Sequence, residues 1–238
     1  MQTEYKTQIQ QEENGGSRYL QTRVLSQRPL IRAYLGDCMD WMQATADKAY
    51  NLAIVDPPYG AGDIRNCTQL KYRTYINKKP EKFYFDELRR VSENQIIWGG
   101  NYFSKLLFDS RGWIFWNKMN PNPKYSDGEL AWTSYDRILR VFNYMYTNII
   151  EGKGNYSNNT KDKIIHPTQK PIALYRWLLQ NYAKAGQRIF DSHGGSFSSA
   201  VACYLEGFDL DICEIDTEYF EMAVKRFKEQ TQRYIHFN

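Results

Sequence analysis

The tetrapeptide Asp56-Pro57-Pro58-Tyr59 is the part of this sequence best suited to chemistry. It follows the apolar run 52–55, which is typical of a buried strand. Ligands bind at the carboxyl ends of strands in open α/β sheets, and two consecutive prolines hold the backbone there without donating hydrogen bonds. A tight turn after a core strand uses similar residues. The ordered set of carboxylate, prolines and aromatic ring nevertheless favours a rigid catalytic loop.

Such a loop offers acceptors to an amino group attached to an aromatic base. The nitrogen lone pair is delocalised into the ring, so acceptors must draw the amino hydrogens out of the ring plane before the nitrogen can attack a methyl sulfonium. The Asp56 carboxylate and the Pro57 carbonyl suit this role, and Tyr59 presents a face on which an extruded base can stack. The loop predicts methyl transfer to an exocyclic amino group.

A second candidate segment, residues 189–199, lies late in the chain, where it follows a predicted strand and opens a predicted helix. Its small residues allow a ligand to approach the backbone, and Asp191 could receive an ammonium group. Glu214, at the end of the next strand, is placed to accept hydrogen bonds from ribose hydroxyls, whereas Asp216 suits a helix N-cap. The segment lacks the dinucleotide spacing GxGxxG, and such turns often serve only packing.

Two further pieces could lie near the same crevice. Asp37 follows the first predicted strand and could bond an adenine ring, although a helix N-cap explains it equally well. The run 166–171 (HPTQKP) precedes a helix whose first turn holds Pro171, and it could simply be the start of that helix.

Apolar runs and amphipathic stretches alternate along the chain, which predicts a parallel sheet with helices on both faces. We expect a flexible arm over 1–27 and a single domain over 28–238. The predicted strands are 31–35, 52–55, 95–98, 113–116, 188–190 and 210–215, with two short strands near Leu130 and Ile138. The predicted helices are 39–46, 81–91, 101–108, 172–183, 198–205 and 218–230.

Composition excludes several classes of protein. The four cysteines have no paired short spacing and the three histidines do not complete a zinc site, so no metal is expected. No apolar stretch is long enough for a signal peptide core or a membrane span, which predicts a cytoplasmic protein with no membrane contact. The basic residues concentrate in the middle, where residues 60–165 carry 17 Lys and Arg against 11 Asp and Glu.

Together these segments resemble the amino-group DNA methyltransferases, in particular the adenine-N6 enzymes with the beta-type motif order. The resemblance spans about residues 30–230 and is most specific at the tetrapeptide and at HPTQKP. Its other matching parts are Gly36-Asp37, Gly60, residues 94–103 (NQIIWGGNYF), 113–116 (WIFW), 129–134 (ELAWTS), 191–199 and 214–216. It implies a doubly wound, mostly parallel, seven-stranded Rossmann-like sheet with circularly permuted motif order and an inserted target-recognition region.

The resemblance also implies S-adenosylmethionine as cofactor and assigns the site by position. Catalysis would fall to Asp56, Pro57, Pro58 and Tyr59. The cofactor would be lined by Asp37, Cys38, Asp56, His166, Thr168, Lys170, Asp191, Ser192, His193, Gly194, Gly195, Ser196, Glu214 and Ile215. Relatives generally have a second glycine where this chain has Phe197, so that ring must point away from the methionine moiety of the cofactor.

The substrate implied is a flipped-out adenine in double-stranded DNA, because Asp at the first motif position is typical of adenine enzymes and Ser of cytosine-N4 enzymes. This is the activity of restriction-modification methyltransferases, and relatives often form homodimers. An RNA adenine methyltransferase, or a catalytically silent cofactor- or DNA-binding protein of this fold, is the alternative.

DNA contacts are expected in the basic segments about 60–80 and 117–165, where cations can position phosphates and aromatic rings can wedge between bases. A solvated loop with ordinary lysines is the alternative. The candidates are Arg65, Lys71, Arg73, Lys78, Lys79, Lys118, Lys124, Arg137 and Arg140.

Overall fold

The computed structural model describes residues 29–60, 78–119, 126–145 and 164–233, and the backbone of 8–14 and 17–23. The described residues form ten strands and five α-helices. The strands are β1 (Gln8–Asn14), β2 (Ser17–Arg23), β3 (Ile31–Leu35), β4 (Tyr50–Val55), β5 (Ser92–Trp98), β6 (Trp113–Asn117), β7 (Gly128–Thr133), β8 (Arg140–Asn143), β9 (Arg188–Asp191) and β10 (Asp209–Glu214). The helices are α1 (Cys38–Ala44), α2 (Lys82–Val91), α3 (Ile172–Tyr182), α4 (Ser198–Glu206) and α5 (Thr217–Arg233).

All ten strands join one sheet in the order β1-β2-β3-β10-β9-β4-β5-β7-β6-β8. The five central strands, β3 to β5 in this order, are parallel to one another. Strand β7 runs antiparallel to both β5 and β6, and β8 pairs in parallel with β6. The run β3 to β6 supplies the seven strands expected, and the structure adds β8 at one edge and the β1–β2 hairpin at the other.

The order of the strands determines where a ligand can enter. From β4 the chain passes through α2 to β5 on one side, whereas from β9 it passes through α4 to β10 on the other side. Since β4 and β9 are neighbours, their carboxyl ends flank a topological switch point, where an open α/β sheet has its crevice. The catalytic tetrapeptide follows β4 and the small-residue turn follows β9, so the fold brings these two distant segments together.

The sheet has a hydrophobic core on each face because its central strands are buried on both sides. Leu52 and Ile54 of β4 face the core shared with α3, α4 and α5, whereas Ala53 and Val55 face the core shared with α1 and α2. In α2 the residues Tyr84, Phe85, Leu88 and Val91 are buried, at the spacing of one helical face. This confirms the doubly wound arrangement. None of the described helices combines the length and apolarity needed to cross a bilayer.

Most predicted elements are present within a few residues of their expected bounds, with two exceptions. The helix expected over 101–108 is wrong, since the described structure there is a single 3-10 turn, Gly100–Tyr102, followed by turns and bends. Phe103 is the one fully buried side chain of that segment, so no apolar helical face exists to be packed. The strand expected near Ile138 begins later, at Arg140, and the Ile138 side chain is exposed.

The N-terminal arm also departs from expectation in its described part. Composition predicts no regular structure there, yet Gln8–Asn14 and Ser17–Arg23 form a hairpin, and the second strand pairs antiparallel with β3. Backbone pairing on an open sheet edge depends on unsatisfied N–H and C=O groups and not on apolar side chains, which is why hydrophobic patterning does not reveal it.

Candidate active site

The tetrapeptide directly continues β4 and places the Asp56 carboxyl in the crevice. The side chain of Asp56 is 13% exposed. The Tyr59 hydroxyl donates a hydrogen bond of 2.6 Å to Asp56 Oδ1, so the motif closes on itself across its two prolines. The next residue, Gly60, has a φ of +67°, in the left-handed region that glycine enters without strain. The loop therefore presents its carboxylate in one defined orientation.

Lys170, from the HPTQKP run before α3, binds the other Asp56 oxygen. Its Nζ lies 2.5 Å from Asp56 Oδ2, 3.0 Å from Glu129 Oε2 and 3.3 Å from the Tyr59 hydroxyl oxygen. Glu129, the second residue of β7, is also bound through Oε1 by Lys118 at 2.6 Å. Two carboxylates and two ammonium groups thus form a chain, Asp56–Lys170–Glu129–Lys118, which we call the ion-pair chain.

In the ion-pair chain, burial and charge pairing shift the pKa values in opposite directions. Burial raises the pKa of Asp56, and the ammonium of Lys170 opposes that rise. Burial would also raise the pKa of Glu129, but the two lysines outweigh it and bring the value to about 2. For Lys170 burial acts downward, yet Asp56 and Glu129 together raise its pKa above the ordinary value. Glu129 and Lys170 are therefore charged at neutral pH, and Asp56 binds a proton more readily than Glu129.

An aromatic stack covers one face of Tyr59. Its ring lies nearly parallel to that of Tyr102, with the centroids 4.9 Å apart, and meets Phe103 edge-on at 6.1 Å. Gly99 makes this possible, because a Cβ there would lie 2.2 Å from Tyr59 Cε1. One face of the Tyr59 ring is thus covered by Tyr102, which is 44% exposed.

A cavity of about 390 Å³ adjoins the Asp56 loop and extends along the turn after β9. Most of the predicted cofactor residues line it, namely Asp56, His166, Thr168, Lys170, His193, Gly194, Gly195, Ser196, Glu214 and Ile215. Residues that were not predicted to bind the cofactor line it as well, including Pro58, Gln169, Tyr175, Ser198, Asp216, Thr217, Glu218 and Tyr219. Sequence patterning hides this second group because several of them belong to the start of α5, where capping alone explains their residue types.

Backbone groups shape the turn after β9. Gly195 has a φ of +51° and donates its N–H to Glu214 Oε2 at 2.7 Å, while Asp216 N–H is bonded to Glu214 Oε1 at 2.9 Å. Asp216 also accepts from the Tyr219 N–H at 3.0 Å, which confirms its predicted N-cap role. Burial raises the pKa of Glu214. Glu214 lines the cavity, where its carboxylate can accept from a further donor.

Two histidines line the cavity in the neutral form. Burial lowers the pKa of His166 and of His193 to about 4. His166 Nδ1 accepts from the Thr168 N–H at 3.3 Å, and its ring meets Tyr219 with the centroids 4.5 Å apart. Neutral imidazoles add no positive charge to the lining, so they do not repel a cationic ligand.

Four predicted cofactor residues are not among the cavity-lining residues. Asp37 caps α1 by accepting from the Met39 N–H, and Cys38 lies in the core between the sheet and α1. Asp191 accepts from the Ser199 hydroxyl and from the His193 N–H, and burial raises its pKa to about 7. The Ser192 hydroxyl lies 2.7 Å from that of Tyr84, toward α2. Local bonds within the turn therefore engage side chains that position alone assigned to the cofactor.

Phe197 explains how a bulky residue is accommodated in this turn. It has a φ of +58°, the left-handed conformation that glycine adopts most easily, at the start of α4. Its ring is buried and packs edge-on against Phe220 at 5.7 Å, and it is not a cavity-lining residue. The structure thus meets the requirement that this ring point away from the cavity.

The predicted DNA contacts fall into three groups. Lys78 and Lys79 are exposed, and Lys79 lies against Gly60 beside the tetrapeptide, with its Nζ bonded to the Tyr102 carbonyl. Lys118 is engaged with Glu129, and Arg137 donates to the Asn181 carbonyl at 2.7 Å; Arg140 is exposed on β8. The remaining candidates, Arg65, Lys71, Arg73 and Lys124, lie outside the described residues.

The doubly wound fold places an acidic proline loop and a glycine turn on one cavity, an arrangement that suits an S-adenosylmethionine-dependent amino-methyltransferase. The family model described as DNA methylase, which covers N6 and N4 enzymes, matches residues 50–225. The chain belongs to this family, whose cofactor is S-adenosylmethionine. It is 22% identical over 245 residues to the type II methyltransferase M2.MboI of Moraxella bovis, an alignment that covers 83% of this chain and 88% of that protein.

Two solved structures share the fold. The M1.HpyAVI–SAM complex has a TM-score of 0.55 at 21% identity, covering 82% of this chain and 99% of that one. The PvuII DNA methyltransferase, described as cytosine-N4-specific, has a TM-score of 0.56 at 14% identity, covering 86% and 91%. At these identities the likeness concerns the fold, and the family includes enzymes for both bases.

The cavity fits the family's cofactor. Its volume lies in the range of small-molecule sites, and it combines apolar rings with a few polar groups. The left-handed φ of Gly195 brings backbone to the cavity wall, and the Glu214 carboxylate can accept from hydroxyl donors. His166 and His193 leave room for a cationic sulfonium without repulsion.

Proposed function

We propose that this protein transfers a methyl group from S-adenosylmethionine to N6 of an adenine extruded from double-stranded DNA. One observation carries the proposal, which is that Asp56 and the turn of Gly194 and Gly195 line one cavity. The acceptor for an amino hydrogen and the pocket for a methyl donor therefore lie within reach of each other, as direct attack requires.

Each part of the tetrapeptide has a task in this proposal. Asp56 accepts one amino hydrogen and the Pro57 carbonyl accepts another, which draws the nitrogen lone pair out of conjugation with the ring. Pro58 helps to hold the backbone rigid, and Tyr59 provides an aromatic face for stacking. The cofactor supplies an electrophilic methyl group on a sulfonium. The nitrogen–carbon bond forms as the sulfur–carbon bond breaks, and the surplus proton leaves the amino group to water.

The cofactor pocket is assigned to side chains and backbone that line the cavity. Glu214 would accept from the ribose hydroxyls, and the backbone around Gly194 and Gly195 would approach the methionine part. Thr168 and the neutral His166 and His193 would complete the polar lining. Asp191 and Ser192 would act indirectly, because they fix the turn from behind.

Adenine is favoured over cytosine by the first residue of the tetrapeptide, since Asp at this position is typical of adenine enzymes. DNA would meet the protein beside the catalytic loop, where Lys79 lies against Gly60 and the neighbouring Lys78 is exposed, so that both can bind phosphates. Arg140 on β8 offers another exposed cation in the segment proposed for target recognition.

The test is an assay of the purified full chain with methyl-labelled cofactor and either duplex DNA or RNA, followed by digestion and mass spectrometry of the nucleosides. N6-methyladenine from the DNA arm is the expected product. N4-methylcytosine in its place, or product from the RNA arm alone, would refute the substrate assignment. Binding of the cofactor without transfer in either arm would identify a silent member of the family.

A further inference from the structure

If Asp56 accepts the amino hydrogen, as the proposed function requires, the ion-pair chain poses a problem for catalysis. We draw the following inference on the basis of that proposed function. Both oxygens of Asp56 already have partners, with Oδ1 bonded to the Tyr59 hydroxyl and Oδ2 to Lys170. A carboxylate paired with an ammonium 2.5 Å away is a weaker acceptor for a neutral amino group. Full acceptor strength therefore requires that Lys170 move away from Asp56.

Lys170 cannot leave without another anion, because its side chain is only 3% exposed. An unpaired buried ammonium is strongly unfavourable. Its Nζ donates to Asp56 and to the Tyr59 hydroxyl, and it already lies 3.0 Å from Glu129 Oε2, a buried oxygen that has no hydrogen-bond partner among the described residues. Glu129 in turn keeps its own charge because Lys118 binds its second oxygen at 2.6 Å.

We propose that Glu129 is a positioning residue that draws Lys170 from Asp56 when the target amino group enters, so that the Asp56 carboxylate becomes free to accept the amino hydrogen. This exchange breaks no covalent bond and transfers no proton. The ammonium keeps an anionic partner throughout, and it travels only from a distance of 3.0 Å to full contact with Glu129. Glu129 itself touches neither substrate nor cofactor.

The first experiment substitutes Glu129→Gln, which keeps the size of the side chain and removes its charge. We expect the single-turnover rate of methyl transfer at saturating cofactor and DNA to fall about 10- to 100-fold, the worth of one charge-assisted hydrogen bond. Cofactor affinity should be unchanged, and Glu129→Asp should restore part of the rate. A wild-type rate in Glu129→Gln would overturn the proposal.

Glu206→Gln is the matched control. Glu206 is a comparably buried carboxylate, 15% exposed against 22% for Glu129, and it is bound to Arg176 at 2.5 Å and does not line the cavity. The Glu206→Gln variant should transfer methyl groups at the wild-type rate. Equal losses in Glu206→Gln and Glu129→Gln would point to a general loss of packing and would reject a specific role for Glu129.

A second experiment needs neither DNA nor activity. The charged and titratable groups around Asp56 are Lys170, Glu129 and Tyr59, with Tyr175 and Asp191 also acting on it through space. Carbon-13 NMR of the Asp56 carboxyl in the free protein, assigned with Asp56→Asn, should show its pKa lowered in Glu129→Gln and raised in Lys170→Gln. Opposite shifts support the sharing of Lys170. Shifts in the same direction, or none, would overturn it.

The two experiments also separate this inference from the proposed function. If wild-type protein methylates no nucleic acid but the NMR shifts are opposite, the proposed function fails while the sharing of Lys170 between two carboxylates stands. If adenine is methylated but Glu129→Gln is fully active, the proposed function stands and the positioning role falls.

Discussion

The two halves of the cavity are built from different kinds of groups. At the Asp56 corner, side-chain charges predominate, because Asp56, Lys170, Glu129 and Lys118 form a continuous chain of ion pairs. At the turn after β9, backbone geometry predominates, with Gly195 and Phe197 in left-handed conformations and both histidines neutral. The difference teaches that paired side-chain charges belong where hydrogens must be drawn away, whereas backbone shape, together with the Glu214 carboxylate, forms the pocket for the donor.

Removal of the Asp56 carboxylate should have the largest effect and should separate the two halves most clearly. We expect Asp56→Ala to lower the single-turnover rate by about 1000-fold, as loss of a preorganised partner in a buried site does. Cofactor affinity by isothermal titration calorimetry should stay within about twofold, because Lys170 still pairs with Glu129. Full activity of Asp56→Ala would refute the mechanism.

Substitution of Phe197 tests whether the left-handed backbone in the turn after β9 is strained. Phe197→Gly should lower the free energy of unfolding by about 2 to 3 kcal/mol, since a buried ring is lost but left-handed strain is relieved. Phe197→Ala keeps the strain and should be about 1 kcal/mol less stable than Phe197→Gly in urea unfolding. Equal stability of the two variants would mean that the left-handed backbone carries no strain.

His166 tests the neutrality of the cofactor half through pH. Its folded pKa of about 4 lies below the ordinary value of 6.5, so the unfolded chain binds the proton more tightly. Stability from this group is complete above pH 6.5 and is lost as the pH falls toward 4. Between pH 7.5 and 5 the wild-type protein should lose about 2 kcal/mol more than His166→Gln in urea unfolding. An identical loss in both proteins would show that His166 titrates normally when folded.

Glu214 should give the smallest effect. Glu214→Gln keeps one carbonyl acceptor but removes the charge, and we expect the cofactor to bind about tenfold more weakly with the rate at saturation unchanged. Glu206→Gln again serves as control, measured by the same calorimetric titration. A dissociation constant equal to that of the wild type would remove Glu214 from the pocket.

The sequence predicted the parts of the fold that rest on local patterning. Alternating apolar runs located the central strands, and the helical spacing of Tyr84, Phe85, Leu88 and Val91 located α2 within one residue. It did not predict the β1–β2 hairpin, because pairing at a sheet edge depends on the neighbouring backbone. It wrongly predicted a helix over 101–108, because Gly99 and Gly100 let that segment turn tightly against Tyr59 and Trp132.

By itself the sequence determined the identity of the chemical groups: an acidic proline loop, a glycine turn and the acidic end of the following strand. Only the tertiary structure decided which of them meet. Glu129 begins the matching stretch 129–134, whose pattern assigns it no role, yet the pairing of β7 with β5 and β6 brings it to Lys170, far away along the chain. Asp191 is turned inward by Ser199 and the His193 N–H. Residue type fixes what a side chain can do, whereas long-range packing decides what it faces.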